Sequence, residues 1–403
     1  MRPPGPLLRI PYTNPLPSPT IHPPFASTLP GAVSALSSFL LDPASSLNPK
    51  TVILTGAGLS VASGLADYRG TNGTYRVNKT YRPIYYHEFT ASHAARKRYW
   101  ARSFLGWSNL SKAQPNSSHY AIRDLAKLGL ISSVITQNVD SFHPKAHPEV
   151  KTLELHGYLR AATCLSCGGE YDRNEFQKEL ARLNPRWDSF LQKVLMTGAL
   201  ETEDPVEKQR RGVIMNPDGD VEVPDAPYTT FRYPACPSCL AKPPDAVGTD
   251  GKKGIVEVDA DGAWGGNSNA GILKPAVVLF GESIAERVKE AAEDAVDEAG
   301  RMLVLATSMA TYSAWRLVKR AKDRGMPVAV VNMGGVRGDD VFFKDLEPEQ
   351  DGSQGVRTEV PTQSLLPALV QELQRSQSRV FGSPAEIAKF EQGNRAIFKD
   401  MLS

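Results

Sequence analysis

Along the chain, short unbroken apolar runs that end in glycine or small polar residues alternate with longer stretches whose apolar residues recur every third or fourth position. That alternation predicts strands and helices in turn, the pattern of an α/β protein. Val52–Leu54, Ile131–Ile135, Ala276–Phe280, Met302–Leu305 and Val328–Val331 have the length and branching of buried strands. His119–Leu128 predicts an amphipathic helix with Ile122, Leu125 and Leu128 on one side and Gly129 as its stop. A second helix follows from the stripe Val288, Ala291, Ala292, Ala295, Val296 and Ala299. Ala32–Leu41 predicts a short helix packed on the domain behind it, and Arg173–Leu195 a charged helical stretch. No apolar run approaches the roughly 20 residues that a membrane-spanning helix needs.

Composition narrows the partners more than the fold. The 403 residues suffice for one large domain with an insertion or for two medium ones. Lys and Arg total 46 against 44 for Asp and Glu, a balance that gives no reason to expect nucleic acid or an anionic membrane as the main partner. Residues 1–46 are rich in Pro, Ser and Thr, with no acid before Asp42, and read as an extended or mobile arm. Arg2 and Arg9 leave two readings of that arm, a mitochondrial presequence or a disordered extension, although its prolines disfavour an amphipathic presequence helix. Residues 376–403 read as a charged helical tail with no function assigned. Between residues 71 and 114 aromatic and basic residues crowd together, and Tyr99, Phe104 and Trp107 read as core.

All four cysteines fall in two Cys-x-x-Cys pairs, Cys164/Cys167 and Cys236/Cys239. One pair would fit a redox motif, whereas two present the four thiolates of a structural zinc site in a chain with no secretory signal. The pairs bracket a smaller domain, residues 158–271, with few apolar residues of its own and a mobile loop at 241–271 that includes Gly262–Asn267.

The stretch with most chemistry is Thr51–Gly70, where the first strand breaks into Gly56-Ala57-Gly58. Glycines there let a backbone turn tightly and approach a pyrophosphate, with a helix starting just after and Ser60 and Ser63 of capping type near its start. A plain strand-turn-helix connection has the same composition. The next glycine, Gly64, lies six residues beyond Gly58 where a dehydrogenase fingerprint wants three, so hydride transfer loses ground. Ser60, Asp67, Tyr68 and Arg69 occupy the loop instead and could meet the nicotinamide end of a dinucleotide. A second polar cluster, Gln137-Asn138-Val139-Asp140, ends the 131–135 strand, where open α/β sheets place ligands, though a bland turn could also look so. His156, in Leu153–Gly157, is either a structural hydrogen-bonder or a proton acceptor with a near-neutral pKa.

Taken in order, these motifs resemble the sirtuin family of NAD-dependent protein deacylases, whose first loop reads Gly-Ala-Gly-x-Ser, then Gly-Ile-Pro-Asp-Phe-Arg. Here Ala66 stands for the proline and Tyr68 for the phenylalanine. Gln137–Asp140 resembles the family's Gln-Asn-Ile-Asp, His156-Gly157 its catalytic dipeptide, Lys274–Glu282 its substrate strand, and Ala306-Thr307-Ser308 its Gly-Thr-Ser. Arg98–Trp107 with Gln114-Pro115-Asn116 resembles the mitochondrial sirtuin-four branch of class II. The resemblance covers about residues 51–370 and implies a Rossmann-like doubly wound parallel sheet, residues 47–157 and 272–375, with the zinc-binding domain inserted.

It also implies the chemistry. NAD would be the co-substrate, held by Gly56, Ala57, Gly58, Ser60, Asp67, Tyr68, Arg69, Gln137, Asn138, Val139, Asp140, Thr307, Ser308, Asn332, Met333 and Gly334. His156 would be the general base, Asn138 would orient the ribose, and Asp140 the carboxamide. Acyl-lysine proteins would be the partners, entering beside Val277, Phe280, Gly281 and Glu282 by strand addition. Trp100, Ala101, Arg102 and Ser103 stand where succinyl-preferring relatives carry Tyr-x-x-Arg, which implies bulky, lipoyl-like acyl groups against an apolar Trp100 wall. The implied location is the mitochondrial matrix, with cytoplasm and nucleus left open. Mono-ADP-ribosyl transfer and an idle NAD-sensing scaffold are the rival functions.

Overall fold

The computed structural model describes residues 16–42, 49–78, 81–196, 214–216, 219–223, 225–247 and 251–381. The first fifteen residues, the segment 197–213 and the tail from 382 lie outside it. Its strands are β1 (Thr51–Thr55), β2 (Ile131–Thr136), β3 (Thr152–Glu154), β4 (Gly157–Cys164), β5 (Glu170–Asp172), β6 (Ile214–Met215), β7 (Val221–Glu222), β8 (Leu273–Val277), β9 (Arg301–Leu305), β10 (Val328–Val331) and β11 (Gly355–Thr358).

Six of them form one parallel sheet in the order β11-β10-β9-β1-β2-β3. The chain winds outward from β1 to β3, then returns beside β1 with β9 and winds the other way. This is a doubly wound α/β fold, with its topological switch point between β1 and β9. Every residue of β1, β9, β10 and β11 is buried, because helices cover both faces. On one face the helices Leu29–Leu41, Ser117–Lys127 and Thr362–Phe381 bring Leu36, Phe39, Ile122, Leu125, Leu366 and Leu369 against the sheet. On the other, Glu286–Asp297 and Tyr312–Asp323 contribute Ala292, Val296, Leu317 and Val318.

The N-terminal helix starts at Leu29, three residues before the sequence suggests, because Thr28 caps it by accepting from the Gly31 N–H at 3.3 Å. Residues 16–28 of the expected loose arm are likewise docked. His22 exchanges two backbone hydrogen bonds with Arg357 of β11, at 3.1 and 2.6 Å, and extends the sheet edge.

The smaller unit is built on the antiparallel sheet β5-β4-β8. β8, expected to re-enter the large sheet, pairs with β4 instead, and the large sheet resumes only at β9. The helical stretch from Arg173 is broken into Arg173–Leu183 and Pro185–Met196, since Pro185 has no N–H to continue the ladder. This unit does have a substantial core, formed with the helix His93–Lys112: Trp100, Phe104, Phe176, Leu180, Trp187, Phe231, Tyr233 and Trp264. Trp264 also overturns the expectation of a mobile loop for residues 251–271; residues 248–250 of the expected 241–271 loop lie outside the described residues. Trp264 is 6% exposed, donates to the Ala270 carbonyl at 2.9 Å, stacks on Tyr233 and lies under the Arg96 guanidinium, so its segment is folded onto the unit. No helix among the described residues is long and apolar enough to cross a membrane.

Candidate active site

The crevice at the switch point is lined by the turns that follow β1, β2, β9 and β10, which is where the sequence motifs lie. Gly56 and Gly58 open the first turn, donating to the carbonyls of Leu305 and Ala306 at 3.1 and 3.2 Å. A Cβ on Gly56 would sit 2.5 Å from the Thr307 Cβ, and one on Gly58 3.0 Å from the Ala306 oxygen. Close backing by the turn after β9 therefore demands these glycines, whatever approaches from the crevice. Ala57 begins a 3-10 helix, Ala57–Ser63, that stops at Gly64 in a left-handed conformation. Contrary to the expectation from the sequence, Ser60 and Ser63 are not its caps. They lie inside it and face other elements: Ser63 accepts from the Asn116 amide at 3.0 Å, and Ser60 turns to the second polar cluster.

There the Ser60 hydroxyl donates to Asp140 Oδ2 at 2.7 Å and accepts from Asn138 Nδ2 at 3.2 Å. The Phe142 N–H holds the other Asp140 oxygen at 2.9 Å. Burial raises the Asp140 pKa, opposed by these two hydrogen bonds. Val139 is half-buried beside it, its carbonyl taken by the Leu159 N–H at 2.9 Å. Gln137 is a hub. Its side chain donates to Thr307 Oγ1 at 2.9 Å and accepts from the Thr311 hydroxyl at 3.0 Å, tying β2 to the turn after β9.

The loop after the 3-10 helix folds on itself. Asp67 accepts from the Gly70 N–H at 3.0 Å and has its pKa raised by burial. The Tyr68 ring lies 5.6 Å from Tyr75 and 6.5 Å from Phe280, and the Arg69 guanidinium lies over Tyr75. At the other end of the crevice Ser308 accepts from the Arg337 N–H, and Asn332 bonds its own turn at the carbonyls of Met333 and Gly334, with the Met333 side chain exposed. Arg357, fully buried and paired with Asp339, braces that turn through the carbonyls of Asn332 and Gly334.

His156 is half-buried, separated by Leu155 from the end of β3 at Glu154 and directly before β4. Its Nδ1 lies 3.1 Å from the Gln137 carbonyl, which can only accept, so Nδ1 carries the hydrogen. Nε2 is then an acceptor, 2.9 Å from the Ser313 hydroxyl. Desolvation lowers the pKa to about 4, against the raising effect of the Gln137 carbonyl, so the ring is neutral at neutral pH and able to take a proton.

The segment after β8 is fixed to this histidine. The Val278 N–H donates to the His156 carbonyl at 2.8 Å, extending the edge that ends in Val277. Phe280 accepts from the Tyr86 N–H at 2.9 Å, Gly281 takes a left-handed turn, and Glu282 receives the Leu279 N–H at 2.8 Å and pairs with the buried Lys274. Trp100, by contrast, is not an open channel wall. It is fully buried, donates to the Leu273 carbonyl at 3.2 Å and packs 4.5 Å from Phe176. Ser103 accepts from Arg173, and Arg102 forms a buried ion pair with Asp220 at 2.5 Å.

The four cysteine sulfurs lie within 4.8 Å of one another, with Cys164 to Cys239 at 3.6 Å and Cys167 to Cys236 at 3.7 Å. Those distances are far too long for disulfides, yet they fit tetrahedral zinc, whose Zn–S bonds of about 2.3 Å put sulfurs about 3.8 Å apart. Tyr171 reinforces the set by donating to Cys236 Sγ at 2.9 Å. With four thiolates and no open position, such a site is structural.

The fold and crevice define an α/β protein with a dinucleotide-type switch point and a tied-in cysteine unit, and the comparisons give the family. Residues 56–313 match the Sir2 family model. The NAD-dependent protein deacylase SIR4 of Batrachochytrium dendrobatidis is 39% identical over 77% of this chain and 90% of its own length. The NAD-dependent protein lipoamidase sirtuin-4, mitochondrial, of Bos taurus is 30% identical over 81% and 85%. A solved structure described as the structural basis for the mechanism and regulation of Sir2 enzymes aligns with a TM-score of 0.51 at 26% identity, covering 85% of this chain and 98% of that one. The chain belongs to the Sir2 family.

Sequence reasoning located the crevice turns and the cysteines but missed the partners that hold them. Thr311 and Ser313 lie 174 and 157 positions along the chain from the groups they anchor, and Asp339 and Arg357, 18 positions apart, fall in none of the motifs. No spacing rule connects Ser313 to His156, and only the folded sheet brings them together.

Proposed function

We propose that this protein removes acyl groups from protein lysines by transferring them to the ADP-ribose part of NAD, and that it acts in mitochondria; the bovine relative is named an NAD-dependent protein lipoamidase and mitochondrial. The observation that carries the reading is His156, held neutral with Nε2 in the accepting form beside the Ser60–Asn138–Asp140 cluster. When bound, NAD supplies a ribose carbon that releases nicotinamide and a ribose hydroxyl that receives the acyl group. Its fit here rests on buried polar groups gathered at a topological switch point: Ser60, Asn138 and Thr307 are each less than a tenth exposed.

Gly56, Ala57, Gly58, Thr307 and Ser308 would face the phosphates, and Asn332, Met333 and Gly334 the adenosine. Asn138 orients the ribose and Asp140 the carboxamide, while Asp67, Tyr68 and Arg69 close over the reacting end, and Gln137 and Val139 keep the strand end in place. His156 takes the hydroxyl proton at Nε2. Val277, Phe280, Gly281 and Glu282 form the wall for the acyl-lysine backbone. Residues 158–271 serve as the zinc-bearing domain between the two parts of the NAD-binding domain.

Lipoyl-like or other bulky acyl groups are the proposed substrates. Support comes from the bovine lipoamidase relative and from Arg102, whose charge is committed to Asp220 and so is not offered to an acidic acyl group. Identical peptides carrying acetyl, succinyl, hydroxymethylglutaryl, lipoyl or myristoyl lysine, ranked by kcat/KM, test this. Lipoyl or myristoyl should lead, and acetyl or succinyl at the top would refute it.

A further inference from the structure

His156 is clamped from two directions by elements that are themselves tied together. Gln137, at the end of β2, holds Nδ1 through its backbone carbonyl at 3.1 Å. Ser313, the second residue of the helix Tyr312–Asp323, meets Nε2 with its hydroxyl at 2.9 Å. The two anchors are joined independently of the ring, because Thr311 donates to the Gln137 side chain at 3.0 Å and Gln137 donates to Thr307 at 2.9 Å. The result is a closed loop of contacts, from His156 to Gln137, to Thr311, along the backbone to Ser313 and back to His156.

Its two halves differ chemically. A carbonyl can only accept, so Gln137 bonds Nδ1–H in the neutral ring and in the imidazolium alike. A hydroxyl can rotate. It can donate to a bare Nε2 and accept from Nε2–H once a proton has arrived. Burial otherwise leaves the imidazolium poorly solvated, as the lowered pKa of His156 indicates, so a partner that can turn its oxygen toward the new N–H matters most in the charged state.

We propose that Ser313 is the positioning residue of the His156 base: its hydroxyl donates to Nε2 and fixes the ring in the resting protein, turns off that single lone pair when the ribose hydroxyl takes its place, and offers its oxygen to Nε2–H after the proton is taken. The inference rests on the deacylase reading for its catalytic meaning, though not for the contact itself. No proton leaves Ser313 in this scheme. The ribose hydroxyl loses its proton to Nε2, the His156 ring gains one charge, and the Ser313 O–H turns to offer a lone pair.

The test replaces Ser313 by Ala, Thr and Val in the full-length, zinc-loaded protein. Thr and Val share a shape, and only Thr keeps the hydroxyl. Nitrogen-15 NMR of labelled histidine, with His156 assigned from the His156→Ala spectrum, reads the ring without NAD or substrate. The unaltered protein and Ser313→Thr should show a hydrogen-bonded Nε2, whereas Ala and Val should lose that signature and titrate at lower pH. In acyl transfer, Ala and Val should lower kcat by about tenfold or more while KM for NAD and for acyl peptide stay within about twofold, and Thr should restore kcat. An Nε2 signal and titration unchanged in Ser313→Val would overturn the inference, as would a loss confined to KM. If the unaltered protein transfers no acyl group at all, the deacylase reading fails, and the NMR comparison still decides whether Ser313 holds His156.

Discussion

Ala306, like Met309 in the same turn, carries local backbone strain. It follows β9 with φ of 51°, a left-handed conformation that glycine adopts freely and alanine does not. The resembling families' glycine at this point thus has a backbone reason, and the methyl group has a cost. Ala306→Gly should stabilise the protein by about 0.5–1 kcal/mol, seen as a melting temperature about 1–3 °C higher, after offsetting the greater freedom of glycine in the unfolded chain. An unchanged or lower melting temperature would show that the turn bears no strain. A second residue-level prediction concerns pH. Burial holds His156 at about 4 and His119 at about 3, and pushes His143, bonded to Thr55 at 2.8 Å and to His147 at 2.9 Å, well below its usual value. The folded state therefore binds these protons less readily than the unfolded state, whose histidines titrate near 6.5. Stability from these groups is complete above about pH 6.5 and is lost as pH falls toward 4, by about 1.4 kcal/mol per pH unit for each histidine in that window. Urea unfolding at stepped pH should show this fall, with a shallower slope in His119→Gln. Equal slopes in the two proteins would contradict the assignment.

At the scale of elements, pattern reading succeeded where one period decides the answer. The runs that became β1, β9 and β10 have unbroken apolar centres because both sheet faces are covered, and β2 departs from this only at Ser132 and Ser133, so the sequence shows the strands directly. β8 was legible as a strand but not as a member of the small sheet, since composition carries no pairing partner. In the helix His93–Lys112 Tyr99, Phe104 and Trp107 pack in or against the core as expected, and only Trp100 departs from its expectation as a channel wall. Trp100, Phe104 and Trp107 recur at the i, i+4, i+7 spacing of a packed stripe, and that spacing, visible in the sequence, marks Trp100 as core and not as a channel wall. Trp264 shows the opposite failure. A stretch of Gly, Asp and Asn reads as loose until one aromatic residue finds a core to enter. The cysteine unit gives this scale its prediction: elemental analysis should find about one zinc per chain, and Cys236→Ser should lose the metal and lower the melting temperature. Metal-free protein with full activity and unchanged melting would refute a structural zinc.

For the whole molecule, function follows from how two halves of a sheet and an inserted unit meet. The switch point between β1 and β9 opens the crevice, the end of β2 supplies Asn138 and Asp140, and the β3–β4 junction supplies His156 at the border with the small sheet. The segment after β8 then bonds to the His156 backbone, so the wall proposed for the acyl-lysine and the proposed base are one continuous piece of structure. The order of the motifs made the family legible from sequence. The cross-links did not show there, because they join residues from separate elements, some more than a hundred positions apart, such as His156 with Ser313 and Gln137 with Thr307. The measurement that bears most directly on the account is mass spectrometry of the nucleotides formed from NAD and a lipoyl-lysine peptide, run beside NAD-binding titrations, for the unaltered protein and His156→Ala. The account predicts free nicotinamide and acyl-ADP-ribose from the unaltered protein, and a variant that binds NAD with similar affinity but forms the acyl product about a hundredfold more slowly or worse. Protein-bound ADP-ribose without acyl-ADP-ribose, no product at all, or undiminished turnover by the variant would contradict it.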